Sequence, residues 1–206
     1  MKPSNFKFIL WDFDGVIIES NSVREQGFRE VLKQYPTKQV EELIDFHNAN
    51  GGWSRYVKFR YFFEKIRKEP TTDEQINELA GQFSSIMKDL LVNPELLIAE
   101  TVAFIEEMYN SGKEMHIVSG SDSNELRGLC SALKIDHFFK SINGSPTPKN
   151  LLVKEVVELN QYLKENIVLI GDSINDYDAA KVNGISFIGF NNELLIQKGV
   201  YIKKFS

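Results

Sequence analysis

The stretch Phe8-Ile9-Leu10-Trp11-Asp12-Phe13-Asp14-Gly15 decides the fold. Four apolar residues run without a break and stop abruptly at two acids and a glycine. A strand with one face in water alternates apolar and polar residues, whereas a strand covered on both faces reads as a continuous apolar run. Residues 6–11 are therefore predicted to form a buried parallel strand that delivers polar groups at its carboxyl end. The same pattern recurs downstream. Met115-His116-Ile117-Val118 runs into Ser119-Gly120-Ser121, and Ile167-Val168-Leu169-Ile170 runs into Gly171-Asp172-Ser173. Residues 185–190 form a fourth run, and 138–142 a shorter candidate.

Helical patterns separate these runs. Residues 101–109 carry Phe104, Ile105, Met108 and Tyr109 at helical spacing and end before Gly112, where a C-terminal glycine is expected. Residues 151–163 read the same way. Strands alternating with helices imply parallel βαβ units, hence an α/β protein with a Rossmann-like parallel sheet flanked by helices. In such sheets ligands bind beyond the carboxyl ends of the strands.

About a hundred residues lie between the first strand and the second, far more than a crossover requires. They carry helical stripes at Phe28, Val31, Leu32 and Tyr35, then at Tyr56, Phe59, Phe63 and Ile66. A third stripe runs through Ile76, Leu79, Ala80, Phe83, Met87, Leu90 and Leu91, with Thr72 and Gln75 as a capping box before it. The expected organisation is a core of residues 1–17 and 95–206, with an α-helical cap, 18–94, inserted after the first strand. Hinges are expected around 18–21 and 93–95.

Composition agrees with one soluble domain carrying a modest insertion: 206 residues, 42% hydrophobic and 26% charged. A net charge of −5 argues against a nucleic-acid or anionic-membrane surface, which needs clustered basic residues, and favours a small-molecule partner. The single cysteine, Cys130, reads as a buried thiol of a reducing compartment. The apolar run at 8–11 is too short for a signal peptide or a membrane span, so a cytoplasmic protein is expected. Nothing in the sequence sets the oligomeric state.

The chemistry-bearing residues gather at the strand ends. Asp12 and Asp14, two apart on extended backbone, are expected to project to one side. Neighbouring acids repel, which raises one pKa or demands a cation. Asp172, after another strand, makes a third acid, and three acids around one point suit Mg²⁺, a hard ion that takes oxygen ligands. Asp176, across a tight turn, is placed to orient a ligand of that ion from behind. Ser119 offers a hydroxyl to a phosphoryl oxygen with the Gly120 amide beside it. Lys149 opens a helix, where ammonium and helix end both favour an anion. Lys154 competes for that role from one turn deeper. Alone, an Asp-x-Asp pair is commonly a solvated turn; the order and strand placement of the other groups turn it into a candidate site.

Asp12-Phe13-Asp14-Gly15, Ser119-Gly120, Lys149, and Gly171-Asp172 with Asp176 stand in the order of the four motifs of the haloacid dehalogenase superfamily, which the chain resembles along nearly its whole length. The resemblance implies Asp12 as nucleophile, Asp14 as general acid/base, and Ser119 and Lys149 as phosphate ligands. It further implies Mg²⁺ held by the Asp12 side chain, the Asp14 backbone carbonyl and Asp172. The helical insert resembles the cap of the subgroup with phosphoglycolate phosphatases and β-phosphoglucomutases. An acid at position 14, which the dehalogenases of the family lack, favours a phosphoester substrate over a haloacid.

The expected activity is therefore Mg²⁺-dependent hydrolysis of a small phosphomonoester through an aspartyl phosphate. A sugar-phosphate phosphomutase uses the same residues, and a catalytically silent phosphate-binding module keeps the fold. A phospho-accepting receiver domain needs only ~120 residues and leaves the helical insert unexplained. Within the insert, Gly52 permits close approach, and Arg55 and Lys58 are candidates to meet an anionic group of the substrate. His47, His116 and His137 lack metal-ligand spacing and carry no assigned role.

Overall fold

The computed structural model describes residues 2–205. Among them a six-stranded parallel sheet runs in the order β3-β2-β1-β4-β5-β6, formed by Phe8–Trp11 (β1), Glu114–Asp122 (β2), Ser141–Ser145 (β3), Ile167–Gly171 (β4), Ser186–Phe190 (β5) and Val200–Ile202 (β6). β1 lies between β2 and β4, with Phe8 in register with Glu114 on one side and Ile167 on the other. Its uninterrupted apolar run has a simple cause. Ile9 and Trp11 enter one core with Phe104, Met108, Leu129 and Cys130, while Phe8 and Leu10 enter the other with Val153, Val157, Ala179 and Ala180. Helices Ala99–Asn110 (α5) and Ser123–Ala132 (α6) therefore cover one face of the sheet. Lys149–Leu159 (α7) and Ile174–Asn183 (α8) cover the other. The chain winds outward from β1 to β3, then returns to β4 on the other side of β1. That reversal opens a crevice at the carboxyl ends of the central strands.

Helices Asn21–Val31 (α1), Thr37–Ala49 (α2), Arg55–Tyr61 (α3) and Asp73–Leu91 (α4) occupy the chain between β1 and α5, with α3 continuing into a π-helical segment, Phe62–Arg67. They share an aromatic core: the Phe28 ring lies 5.3 Å from Phe59 and 4.5 Å from Phe83. The two crossings into this helical segment run side by side, Glu19 N donating to Leu96 O at 2.8 Å and Ile98 N to Ile17 O at 2.9 Å.

Some boundaries differ from the sequence reading. Residues 138–142 do not form one strand: a 3-10 turn, Asp136–Phe138, comes first and β3 begins at Ser141. Ile135 and Phe139 spend their apolar surface under α6 and the sheet rather than in a ladder. The 151–163 helix starts earlier, at Lys149, and ends at Leu159, where Asn160 stops it and Gln161 takes a positive φ of 53°. Thr72 caps α4 by accepting from Gln75 N at 3.2 Å, while the Gln75 side chain meets Thr71 instead of closing the box. α8 and β6 leave little pattern in the sequence: α8 buries little more than Asp176, Ala179 and Ala180, and β6 is only three residues long.

Candidate active site

A cavity of about 250 Å³ lies between the strand ends and the helical segment. Asp12, Asp14, Ser119 and Asp172 line it from the core side. Asp12 follows β1 directly, its amide held by Ile170 O at 2.9 Å. Its carboxylate is buried; Oδ1 accepts from Phe13 N at 2.8 Å and lies 2.8 Å from Lys149 Nζ. Lys149, the first residue of α7, also pairs with Asp176 and is itself buried. Burial and the nearby Asp176 raise the Asp12 carboxyl to about 7, against the pull of Lys149. Asp172 is pushed well above the usual carboxylate range by burial and by Asp12. Burial works against the Lys149 ammonium, but Asp12 and Asp176 hold it above its ordinary value.

Asp12, Asp172 and Asp176 each bring a carboxylate oxygen within 4.8 Å of the others. Three acids share one buried ammonium, a charge deficit that a hard cation with oxygen ligands would relieve. Asp176 contributes least to such a cation. Its Oδ1 takes Lys149, and its Oδ2 takes the Ser173 amide at 3.0 Å and hydroxyl at 2.6 Å, closing the capping box of α8. Asp172 packs against Gly15, whose φ of 73° and lack of a side chain permit the approach: a Cβ there would stand 2.0 Å from Asp172 Oδ2. The donor set of Asp12 and Asp172 therefore fits Mg²⁺.

The Asp14 side chain has partners of its own. Arg24 of α1 grips it, Nε 2.9 Å from Oδ1 and Nη2 3.3 Å from Oδ2, while Ser121 Oγ donates to Oδ2 at 2.5 Å and Ser20 donates to Oδ1. Burial alone would raise this carboxyl, but Arg24 and the two hydroxyls override it and hold it at about 2. Arg24 also reaches Glu125 Oε1 at 2.7 Å, and the other oxygen of Glu125 receives Arg55 at 2.7 Å. Glu125, near the start of α6, thus ties α1 and α3 to the core.

The loop before α3 touches the core directly. Asn175 donates to Gly52 O at 2.9 Å, and a Cβ on Gly120 would come within 2.1 Å of that same carbonyl oxygen. Ser119 is buried and its Oγ accepts from Ser121 N at 3.1 Å, which leaves its proton free for another acceptor.

A sequence profile described as haloacid dehalogenase-like hydrolase matches residues 9–190. The chain belongs to that family. Pyrophosphatase PpaX of Anoxybacillus flavithermus is 23% identical over 194 residues, covering 90% of this chain and 83% of that protein. A solved β-phosphoglucomutase from Clostridium difficile superposes with a TM-score of 0.77 at 17% identity, over 97% of this chain and 92% of that one. A predicted phosphoglycolate phosphatase from Haemophilus somnus gives 0.75 at 18%, over 98% and 95%. At these identities the two structures speak for the fold.

The family fold thus brings together Asp12, Asp14, Ser119, Asp172 and the insert residues Gly52, Arg55 and Lys58 around one cavity. Lys149 lines an adjoining pocket that shares Gly52, Trp53 and Gly120 with this cavity, and Asp176, which pairs with it, lines neither. Lys154, its competitor, is exposed and lies 3.8 Å from Glu158, away from the site. His47, left without a role by its spacing, lines the cavity and meets Lys58 Nζ at 2.7 Å through Nδ1. Ser20, Arg24, Ser121 and Glu125 went unread. Their signal is weak, since each is a polar residue on a helix face or strand tip that gains meaning only from a partner far along the chain.

Proposed function

We propose that this hydrolase is a Mg²⁺-dependent phosphatase that cleaves a small phosphomonoester through an aspartyl phosphate on Asp12. The observation that carries the reading is the Asp12 carboxylate, buried at the mouth of β1, held by Lys149 and faced by Asp172. Phosphoryl transfer needs positioning and charge stabilisation more than covalent assistance, and these groups supply both. Mg²⁺, held by Asp12, Asp172 and the Asp14 backbone carbonyl, would offset the negative charge that carboxylate and phosphate bring together.

Asp12 attacks phosphorus in line, the bond to the leaving oxygen breaks, and that oxygen takes a proton from Asp14. Water then cleaves the acyl phosphate and its proton passes to Asp14. Arg24 and two hydroxyls keep Asp14 ionised and both its oxygens occupied in this arrangement. To give the first proton it must be released by Arg24, which travels with the helical segment. Ser119, the Gly120 amide and Lys149 are the proposed phosphate ligands. We read residues 18–94 as a cap whose closure shuts out water and selects the leaving group, with Gly52, Arg55 and Lys58 as its substrate-facing residues.

Among the described residues no helix is long and apolar enough to cross a membrane. A lone buried thiol and an acidic surface fit work on small metabolites in a reducing cytoplasm. The likeness in fold to a β-phosphoglucomutase keeps a mutase reading in view, and the product separates the two: free phosphate or an isomerised sugar phosphate. The test is a phosphomonoester panel with Mg²⁺ or with chelator. Asp12→Asn abolishes turnover with the fold retained; undiminished activity in that variant overturns the assignment.

A further inference from the structure

Arg24, Arg55 and Lys58 bring three cations from the helical segment to the cavity, each no more than 5% exposed. A buried charge is costly unless paired, so their partners are informative. Arg24 is fully matched by Asp14, Glu125 and Ser121. Arg55 is matched on one side only: Nη1 meets Glu125 and Ser84, each at 2.7 Å, and its guanidinium lies 4.6 Å from the Phe83 ring, but Nη2 is buried without a partner. Lys58 has no carboxylate at all among the described residues. Its one hydrogen bond is to His47 Nδ1, on a ring that burial and Lys58 itself keep uncharged, at about 3. Of the three, Lys58 alone has no carboxylate within ion-pair distance among the described residues, and Arg55 keeps one buried edge without a partner.

We propose that Lys58 and the free edge of Arg55 form a second anion site, so that the substrate is a small phosphate compound whose leaving group carries its own negative charge. This rests on the phosphatase reading above and narrows its substrate class. His47 is the positioning residue: by accepting one Nζ proton it fixes the ammonium and leaves the other two for the ligand. The anion is a carboxylate or a second phosphate. A cavity of about 250 Å³ keeps the compound small.

The matched probes are 2-phosphoglycolate and ethyl phosphate, which differ by a carboxylate in place of a methyl, with inorganic pyrophosphate as the second-phosphate arm. In the wild-type enzyme with Mg²⁺, kcat/KM for at least one anionic probe exceeds that for ethyl phosphate by about 10-fold or more, the scale of one charge-assisted hydrogen bond. Which anion gains tells carboxylate from phosphate. Lys58→Met reduces that ratio by about 10-fold, and Lys58→Arg, which keeps the charge, retains most of it. Ethyl phosphate turned over as fast as both anions, in the wild type alone, overturns the subsite and leaves the phosphatase reading standing; so does an unchanged ratio in folded Lys58→Met. No turnover of any phosphate compound overturns the phosphatase reading, and the subsite with it.

Discussion

Arg24 Nε stands 2.9 Å from Asp14 Oδ1, so a residue of the helical segment holds the carboxylate proposed to move the proton. The same guanidinium reaches Glu125 at 2.7 Å, and both sides of that pair are nearly inaccessible to water. Arg24→Leu therefore takes a cation from two carboxylates at once, leaving Glu125 only Arg55 and Asp14 only two hydroxyls. Removing one partner of a buried pair costs about 3–5 kcal/mol, so the variant melts well below the wild type, and kcat falls because Ser20 and Ser121 alone then orient Asp14. Thermal melts with steady-state kinetics check this; a loss under about 1 kcal/mol marks the pair as an exposed-type contact and counts against the argument.

Gly120 and Gly52 meet backbone to backbone. A Cβ at Gly120 would lie 2.1 Å from Gly52 O, closer than any real contact, and the obstacle is main chain that cannot swing aside as a side-chain tip does. Gly120→Ala must push the 50–53 loop off the strand ends. The expected result is a wedged cap: kcat/KM drops by about 10-fold or more, while the melting temperature moves little because the loop is not part of either apolar core. Faster trypsin cleavage around Arg55 would register the lifted loop directly. Wild-type kinetics in Gly120→Ala would mean that the closed contact plays no part in turnover.

How much of this was legible in the sequence depends on what kind of contact made it. β1 announced itself because burial on both faces demands an unbroken apolar run, and Asp12, Ser119 and Asp172 were legible because each follows such a run. Helices α1, α3 and α4 were legible from helical periodicity, whereas α2 was not. Ser20, Ser121 and Glu125 were not, because a polar residue gains its role from a partner that the fold supplies: Glu125 meets Arg24 across 101 positions and Arg55 across 70. The two carboxylates of the Asp-x-Asp pair also take different partners, Lys149 for Asp12 and Arg24 for Asp14, which alternation along an extended strand does not foresee.

Metal and pH are expected to act together on Asp12 and Asp172. Both carboxyls sit above their ordinary range in the fold, Asp12 at about 7, so their ionisation is harder in the native state than in the unfolded chain. An acid raised in this way costs stability as pH climbs from its unfolded value through its folded one. In chelator the wild type is therefore expected to lose melting temperature between about pH 4 and pH 7, and Asp12→Asn to flatten that decline. Excess Mg²⁺ binds the ionised pair and restores the loss at the alkaline end, in proportion to its occupancy. Differential scanning fluorimetry across this range, with and without metal, is the measurement. A decline of equal slope in wild type and Asp12→Asn would place its source elsewhere.

Lys58 gives the substrate preference a pH dependence of its own. Burial lowers its ammonium to about 7; Asp14 opposes the drop, while Arg24, Lys149 and Arg55 add to it. His47, its hydrogen-bond partner, stays neutral through this range. The cation is therefore present below about pH 7 and lost above it, so an anionic leaving group is held best on the acid side. Phosphoglycolate and ethyl phosphate share the titration of the phosphate and of every catalytic group, and the glycolate carboxylate stays ionised throughout. Their ratio of kcat/KM isolates Lys58. That ratio is expected to fall about 10-fold per pH unit above the midpoint until only the Arg55 contribution is left, and to stay level in Lys58→Arg, whose charge persists at every accessible pH. A ratio independent of pH in the wild type would mean that Lys58 does not carry the selectivity.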